Sequence, residues 1–151
     1  MRTIVLLLFL MFCSAAVAWT TETSDDKWRS GWGQGVSEAE VTQGSGNKIY
    51  VACEDGSGGD SSVSFELVGD GPKSGSEVLL IFDKGKPESI SVDKLGRIVS
   101  DSYASASSFE YVIAKLKKHL SVYVRYPDGR EATFTLKGAA AAIGQCRSTW
   151  P

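Results

Sequence analysis

The sequence has few of the residues that metal and thiol chemistry use. Its 151 residues include one histidine and three cysteines. No His-Glu-x-x-His motif, Cys-x-x-Cys pair or EF-hand spacing occurs, and no Gly-x-Ser-x-Gly nucleophile elbow is present. We therefore predict no metal site, no cofactor and no catalytic residue.

Neither sign of charge dominates, and long apolar runs are missing. Sixteen bases stand against eighteen acids, which gives a net charge of −2. This balance argues against a strongly basic nucleic-acid-binding protein. The longest apolar run, 4–12, has about half of the roughly twenty residues that a membrane-spanning helix needs. We therefore expect no nucleic-acid partner and no integral membrane segment beyond that run.

The first eighteen residues have the three parts of a secretory signal peptide. Arg2 supplies a positive start, the apolar run follows, and Ala16-Val17-Ala18 forms a small-x-small cleavage site. Such segments direct export and are removed. We predict a signal peptide at 1–18 and a single extracytoplasmic domain at 19–151, periplasmic or secreted.

Loss of Cys13 with the leader leaves Cys53 and Cys146. An even pair in an oxidising compartment favours a disulfide over redox-active or metal-ligating cysteines. Cys53 lies on the alternating apolar face of 48–53, and Cys146 lies on the helical apolar stripe of 138–146. Both sulfur atoms are therefore predicted to face the core.

Alternating apolar residues and turn signals predict mostly strands. Residues 29–47 are polar and glycine-rich and indicate a loop, with a short strand at 38–42. Residues 78–82 form a continuous apolar run within the predicted strand 77–82, which favours a strand covered on both faces. The predicted strands are 19–23, 38–42, 48–53, 62–68, 77–82, 89–92, 97–100, 120–126 and 130–136, with those from 77 to 100 forming a meander.

One long helix and one short helix complete the predicted fold. Ser107 and Glu110 form a capping-box pattern at the start of the helix 107–119. An apolar stripe along this helix indicates its buried side; its members are Phe109, Val112, Ile113, Leu116 and Leu120. A short helix at 138–146, pinned by the disulfide, ends the chain. We predict an α+β fold, mainly an antiparallel β-sheet or sandwich.

Few residues stand out as functional candidates. Trp28 and Trp32 lie in the polar stretch 29–47 or beside it, and either anchor a partner or fill open ends of the core. Glu38 and Glu40 share one face if their segment is a strand, as a pair of acids in a small hydrolase would. His119 is the one histidine that a Ser-His-Asp arrangement would have to use, and a solvated or helix-capping role explains it more simply.

The C-terminal half resembles a known family. The helical stripe 109–116 precedes VYVRYPDGREATFTLKGAAAAIGQC, which ends at Cys146. This order resembles small periplasmic accessory proteins of type VI secretion systems, and less closely invasion-associated secreted proteins of bacteria. The chain departs from the secretion pattern in its loop 54–62 and in lacking a basic residue shortly before Cys146. The resemblance implies no catalytic residue and maps only the disulfide, onto Cys53 and Cys146.

These observations favour a non-enzymatic periplasmic accessory or binding protein, associated with an envelope secretion machine. Its partner would be an unknown envelope or secreted protein. One alternative is a secreted host-interaction factor or hydrolase inhibitor that inserts 29–47 or 54–62 into its partner. Another is a small hydrolase that uses Glu38 and Glu40, or His119.

Overall fold

The computed structural model of the chain describes residues 19, 24–56 and 58–150. The predicted signal peptide and all of the predicted strand 19–23 except Trp19 lie outside the described residues. Trp19 forms an isolated antiparallel bridge with Gly31.

The described residues contain nine strands, which form two antiparallel sheets. The five-stranded sheet has the order β1-β2-β3-β4-β7, and the four-stranded sheet has the order β6-β5-β8-β9. The strands of the first are β1 Arg29–Gly33, β2 Val36–Gln43, β3 Asn47–Glu54, β4 Ser62–Glu66 and β7 Arg97–Val99; those of the second are β5 Glu77–Phe82, β6 Pro87–Ser91, β8 Ser121–Arg125 and β9 Glu131–Thr135. The helices are α1 Tyr103–Lys118 and α2 Ala139–Ile143. This confirms the predicted fold class.

One face of each sheet contributes to a common apolar core. Ile49, Val51, Val63 and Phe65 come from the five-stranded sheet, and Val78, Leu80, Val122 and Phe134 come from the four-stranded sheet. The α1 residues Phe109, Val112, Ile113 and Leu116 are also fully buried, as the stripe predicted. Leu120, the last member of that predicted stripe, is 63% exposed because the helix has ended before it.

The predicted disulfide is confirmed. Cys53 on β3 and Cys146 beyond α2 are joined across a sequence separation of 93 residues. Both residues are buried. The bond therefore ties the C-terminal segment to the middle of the five-stranded sheet.

Within 29–47 the predicted strand 38–42 is confirmed as part of β2, but the loop predicted before it is wrong. The segment contains all of β1 and β2, which form a hairpin with Arg29 opposite Glu40 and Gly33 opposite Val36. Gln34 and Gly35 both have positive φ angles, 53° and 83°, which suits a tight two-residue turn between strands. The glycines that indicate a loop by composition thus lie in an edge hairpin.

The predicted meander from 77 to 100 is also wrong. β5 pairs with β6, but β7 pairs with β4 in the other sheet. The chain changes sheets in the turn at Asp93, whose carboxylate accepts the amides of Leu95 and Arg97 at 2.8 Å each. Because this turn redirects the chain, consecutive strands do not become neighbours.

The long helix begins earlier than predicted. Its N-cap is Ser102, and the capping box joins Ser102 to Ser105 instead of Ser107 to Glu110. Glu110 instead accepts the amide of Ser148. The predicted capping box is therefore wrong, since Ser102, five residues before the predicted cap Ser107, caps the helix.

Candidate functional site

The two sheets present different outer faces to solvent. β5 turns Val78, Leu80 and Phe82 into the core, so the alternation of a strand turns Leu79 and Ile81 outward. Both are only partly buried, and they line a groove with Tyr123 of β8. The prediction that 77–82 is covered on both faces is wrong, because no element of the described chain packs on this side.

Leu79, Ile81 and Tyr123, which we call the apolar patch, lie on the two central strands of the four-stranded sheet. Ile81 is directly opposite Tyr123, and Leu79 is opposite Arg125. Lys84, Gly85, Ser121, Arg125 and Thr133 border the patch and complete a groove of about 570 Å³. The groove is shallow, with an apolar floor and a polar rim.

The side chains around the groove are held by polar contacts. The Tyr123 hydroxyl donates to Glu131, and this hydrogen bond raises the pKa of Tyr123. Arg125 lies 3.9 Å from the same carboxylate. Lys84 at the other end has no ion-pair partner in the described residues. The groove therefore has a free positive charge at one end and a neutralised pair at the other.

The β5–β6 turn is fixed beside the groove by Asp83. Its carboxylate accepts the amides of Leu120 and Ser121 at 3.0 and 2.8 Å. The Nδ1 atom of His119 lies 2.8 Å from its other oxygen. The hydrogen bond with His119 holds the pKa of Asp83 below its ordinary value.

His119 occupies the position that a capping role predicted. It is the C-cap residue of α1, and its backbone N–H donates to the carbonyl of Lys115 at 3.1 Å. The hydroxyl of Ser121 donates to Asp83 at 3.3 Å. This serine therefore bonds to the aspartate and not to the imidazole, which differs from the arrangement of a Ser-His-Asp triad.

The outer face of the five-stranded sheet is polar, and its charges are largely paired. Glu38 and Glu40 do share this face, as alternate residues of β2. Glu40 is buried against Arg29, and Glu38 accepts the hydroxyl of Tyr50. Burial and this bond raise the pKa of Tyr50. Both carboxylates thus have protein partners within the sheet.

The two candidate tryptophans lie in different surroundings. Trp28 packs against the core, and its Nε1 donates to the carbonyl of Thr135 at 2.8 Å. Trp32 on β1 is 62% exposed. The Trp28 contact covers part of the β9 edge and so stabilises the fold, whereas the side chain of Trp32 is left largely exposed.

A second cavity, of about 330 Å³, lies beside the disulfide. Cys53, Cys146, Ser37, Asp55 and Gln145 are among its lining residues. Ser37 donates to Asp55 within it.

In the part of the chain that the structure describes, no three His, Cys, Asp or Glu side chains are grouped to hold a metal ion. None of the helices described at 19, 24–56 and 58–150 has the length and hydropathy to cross a membrane.

Sequence reasoning missed the apolar patch. A run of five apolar residues does not show which of them face the core. The sequence signal that could have located the patch is in 120–126, where Tyr123 and Arg125 alternate with valines. A strand with one polar face is typical of a sheet that is open on that side.

One comparison with known proteins gave a match. The YfjT family model matches residues 26–143. The matched region begins before β1 and ends with α2, so it includes every strand and both helices. The chain therefore belongs to the YfjT family. Neither the curated proteins nor the solved structures contain a match.

Proposed function

We propose that the chain is a non-enzymatic accessory protein that works outside the cytoplasm and binds another envelope or secreted protein. A periplasmic place beside a secretion machine agrees with the resemblance of its C-terminal half. The disulfide supports an oxidising compartment, where such bonds persist.

The apolar patch is the observation that carries this proposal. On a solvated antiparallel sheet the outward residues are normally polar, as they are on the five-stranded sheet. Leu79, Ile81 and Tyr123 instead form a contiguous apolar floor that is open to solvent. Contiguous exposed apolar surface marks interaction sites, and an aromatic residue with an arginine beside it is a common anchor.

The charge distribution favours an acidic partner. Residues 77–150, which include the patch, have eleven bases against eight acids, whereas 24–76 have four bases against nine acids. Lys84, which has no ion-pair partner in the described residues, lies at one end of the groove, whereas Arg125 at the other end is paired with Glu131. A partner segment that carries both apolar side chains and carboxylates would fit this groove. Its apolar side chains would be buried on the floor of the groove, and its carboxylates would lie at the rim.

The test compares capture of the partner by matched variants. The full chain would be expressed with its leader in its native host, crosslinked, and its partners identified by mass spectrometry. Ile81→Lys places a charge in the apolar patch, and Ala52→Lys places the same charge on the outer face of β3, opposite Glu38.

We expect one envelope or secreted protein to be enriched by the unaltered chain and by Ala52→Lys, and to be lost with Ile81→Lys. Both variants should keep the circular dichroism spectrum of the unaltered chain. Equal enrichment by all three chains, or turnover of a substrate that survives Ile81→Lys but not Glu38→Gln with Glu40→Gln, would contradict the proposal.

A further inference from the structure

β6 is an edge strand whose outer backbone groups are free of protein partners. The amide of Val92 donates to the carbonyl of Ser76 at 3.0 Å, which sets the alternation of the β5–β6 ladder. By that alternation, the N–H and C=O groups of Ser89 and Ser91 point away from β5. No hydrogen bond in the described chain reaches them.

The other long edges are at least partly covered. At the β1 edge, Gly31 forms a bridge with Trp19. At the β9 edge, the indole of Trp28 bonds to Thr135. β7 is only three residues long and packs beside α1. Unpaired edge strands readily join a strand of another chain, and within the described residues β6 is the edge best placed to do so.

We propose that β6 pairs with β6 of a second copy of this chain, antiparallel and about a two-fold axis at Ser89. In that register the two Ser89 residues exchange two backbone hydrogen bonds. The amide of each Ser91 donates to the carbonyl of Pro87 in the other copy, which adds two more. Pro87 has no N–H, so the pairing ends there, as proline does at the start of an edge strand.

The charges at the two ends of β6 are complementary to each other. Lys84 and Lys86 lie in the turn before Pro87, and Glu77 lies beside Ser91 in the β5–β6 register. None of these three charged side chains is in an ion pair within the described chain. Antiparallel pairing places Pro87 of each copy opposite Ser91 of the other, so the basic turn of one copy and Glu77 of the other are separated by one strand. These opposite charges favour a second copy as the occupant.

The pairing would join both four-stranded sheets into one sheet of eight strands. A two-fold axis perpendicular to the sheet keeps both apolar patches on the same side. The interface is isologous, so it closes at two copies and leaves no further β6 edge to extend the assembly. The inference concerns the strand edge, and it stands whether or not the apolar patch binds a partner.

The experiment measures the mass of the chain in solution by sedimentation velocity across a concentration series. The chain is expressed from its full sequence, exported, and purified with its disulfide intact. We expect twice the single-chain mass at the higher concentrations. Ser89→Pro removes the central outward amide and should raise the dissociation constant at least about tenfold. Ser89→Ala, which keeps that amide, should sediment as the unaltered chain does.

A charge exchange separates the interface from a folding defect. Glu77→Lys alone should weaken the dimer, and combining it with Lys84→Glu and Lys86→Glu should restore it. A single-chain mass for the unaltered protein at every concentration would overturn the proposal. So would an unchanged dimer in Ser89→Pro, or a charge exchange that fails to restore what Glu77→Lys removes.

Discussion

Breaking the disulfide should cost a large part of the stability of this protein. The bond joins Cys53 to Cys146 across 93 residues. In the chain-entropy model a closed loop of that length lowers the entropy of the unfolded chain enough to stabilise the fold by about 4.7 kcal/mol at 25 °C. Domains of ordinary size are stable by only about 5–15 kcal/mol, so the reduced protein should be close to unfolding.

Urea unfolding of the oxidised protein and of Cys53→Ala with Cys146→Ala would measure this effect. Alanine is used because both cysteines are buried, and a buried serine would add the cost of an unpaired hydroxyl. We expect the midpoint to fall and the m-value to rise, because the uncrosslinked chain exposes more surface when it unfolds. A loss of stability below about 1 kcal/mol would refute the reasoning, since it would mean that the bond constrains few unfolded conformations.

Two further predictions concern strain and pH. Val68 is a β-branched residue at a φ of 58° and is 69% exposed. Val68→Gly should therefore raise the free energy of unfolding by about 1 kcal/mol, as measured by thermal or urea unfolding. A free energy of unfolding below that of the unaltered chain would mean that Val68 makes contacts that offset its strain. Because Asp83 has a lowered pKa in the fold, its ionised form stabilises the protein above the ordinary aspartate pKa, and this stabilisation is lost as the pH falls through the lower pKa of the folded state. Asp83→Asn should therefore flatten the acid side of the stability curve, and an unchanged acid limb would refute the role of the His119 contact.

Periodic patterns within one strand or helix predicted the structure well. Alternation in 48–53 placed Cys53 on the inner face of β3, and the helical stripe placed Leu116 in the core, because both patterns depend only on the geometry of one element. The disulfide followed from the predicted oxidising compartment and from two cysteines predicted to face inward. Boundaries were less predictable, since Ser102 and Ser107 are both good N-caps and only the packed structure selects the first.

Features that depend on distant segments were not predictable from one sequence. β7 pairs with β4 and not with β6, the strand that precedes it in the chain. Packing across the core determines this pairing. The glycine-rich and polar composition of 29–35 indicated a loop. Part of this segment is nevertheless a strand, because backbone hydrogen bonds to β2 stabilise it there despite its glycines.

The apolar patch is the clearest example of a feature that one sequence cannot predict because it depends on distant segments. A run such as Val78 to Phe82 has no period, so it fits a strand covered on both faces as well as a strand with one open face. The deciding fact is whether another element covers Leu79 and Ile81, and that element would have to come from elsewhere in the chain or from another molecule. Both helices instead pack near the five-stranded sheet. This arrangement leaves Leu79, Ile81 and Tyr123 uncovered by the described chain, which is why we propose that a binding partner covers them.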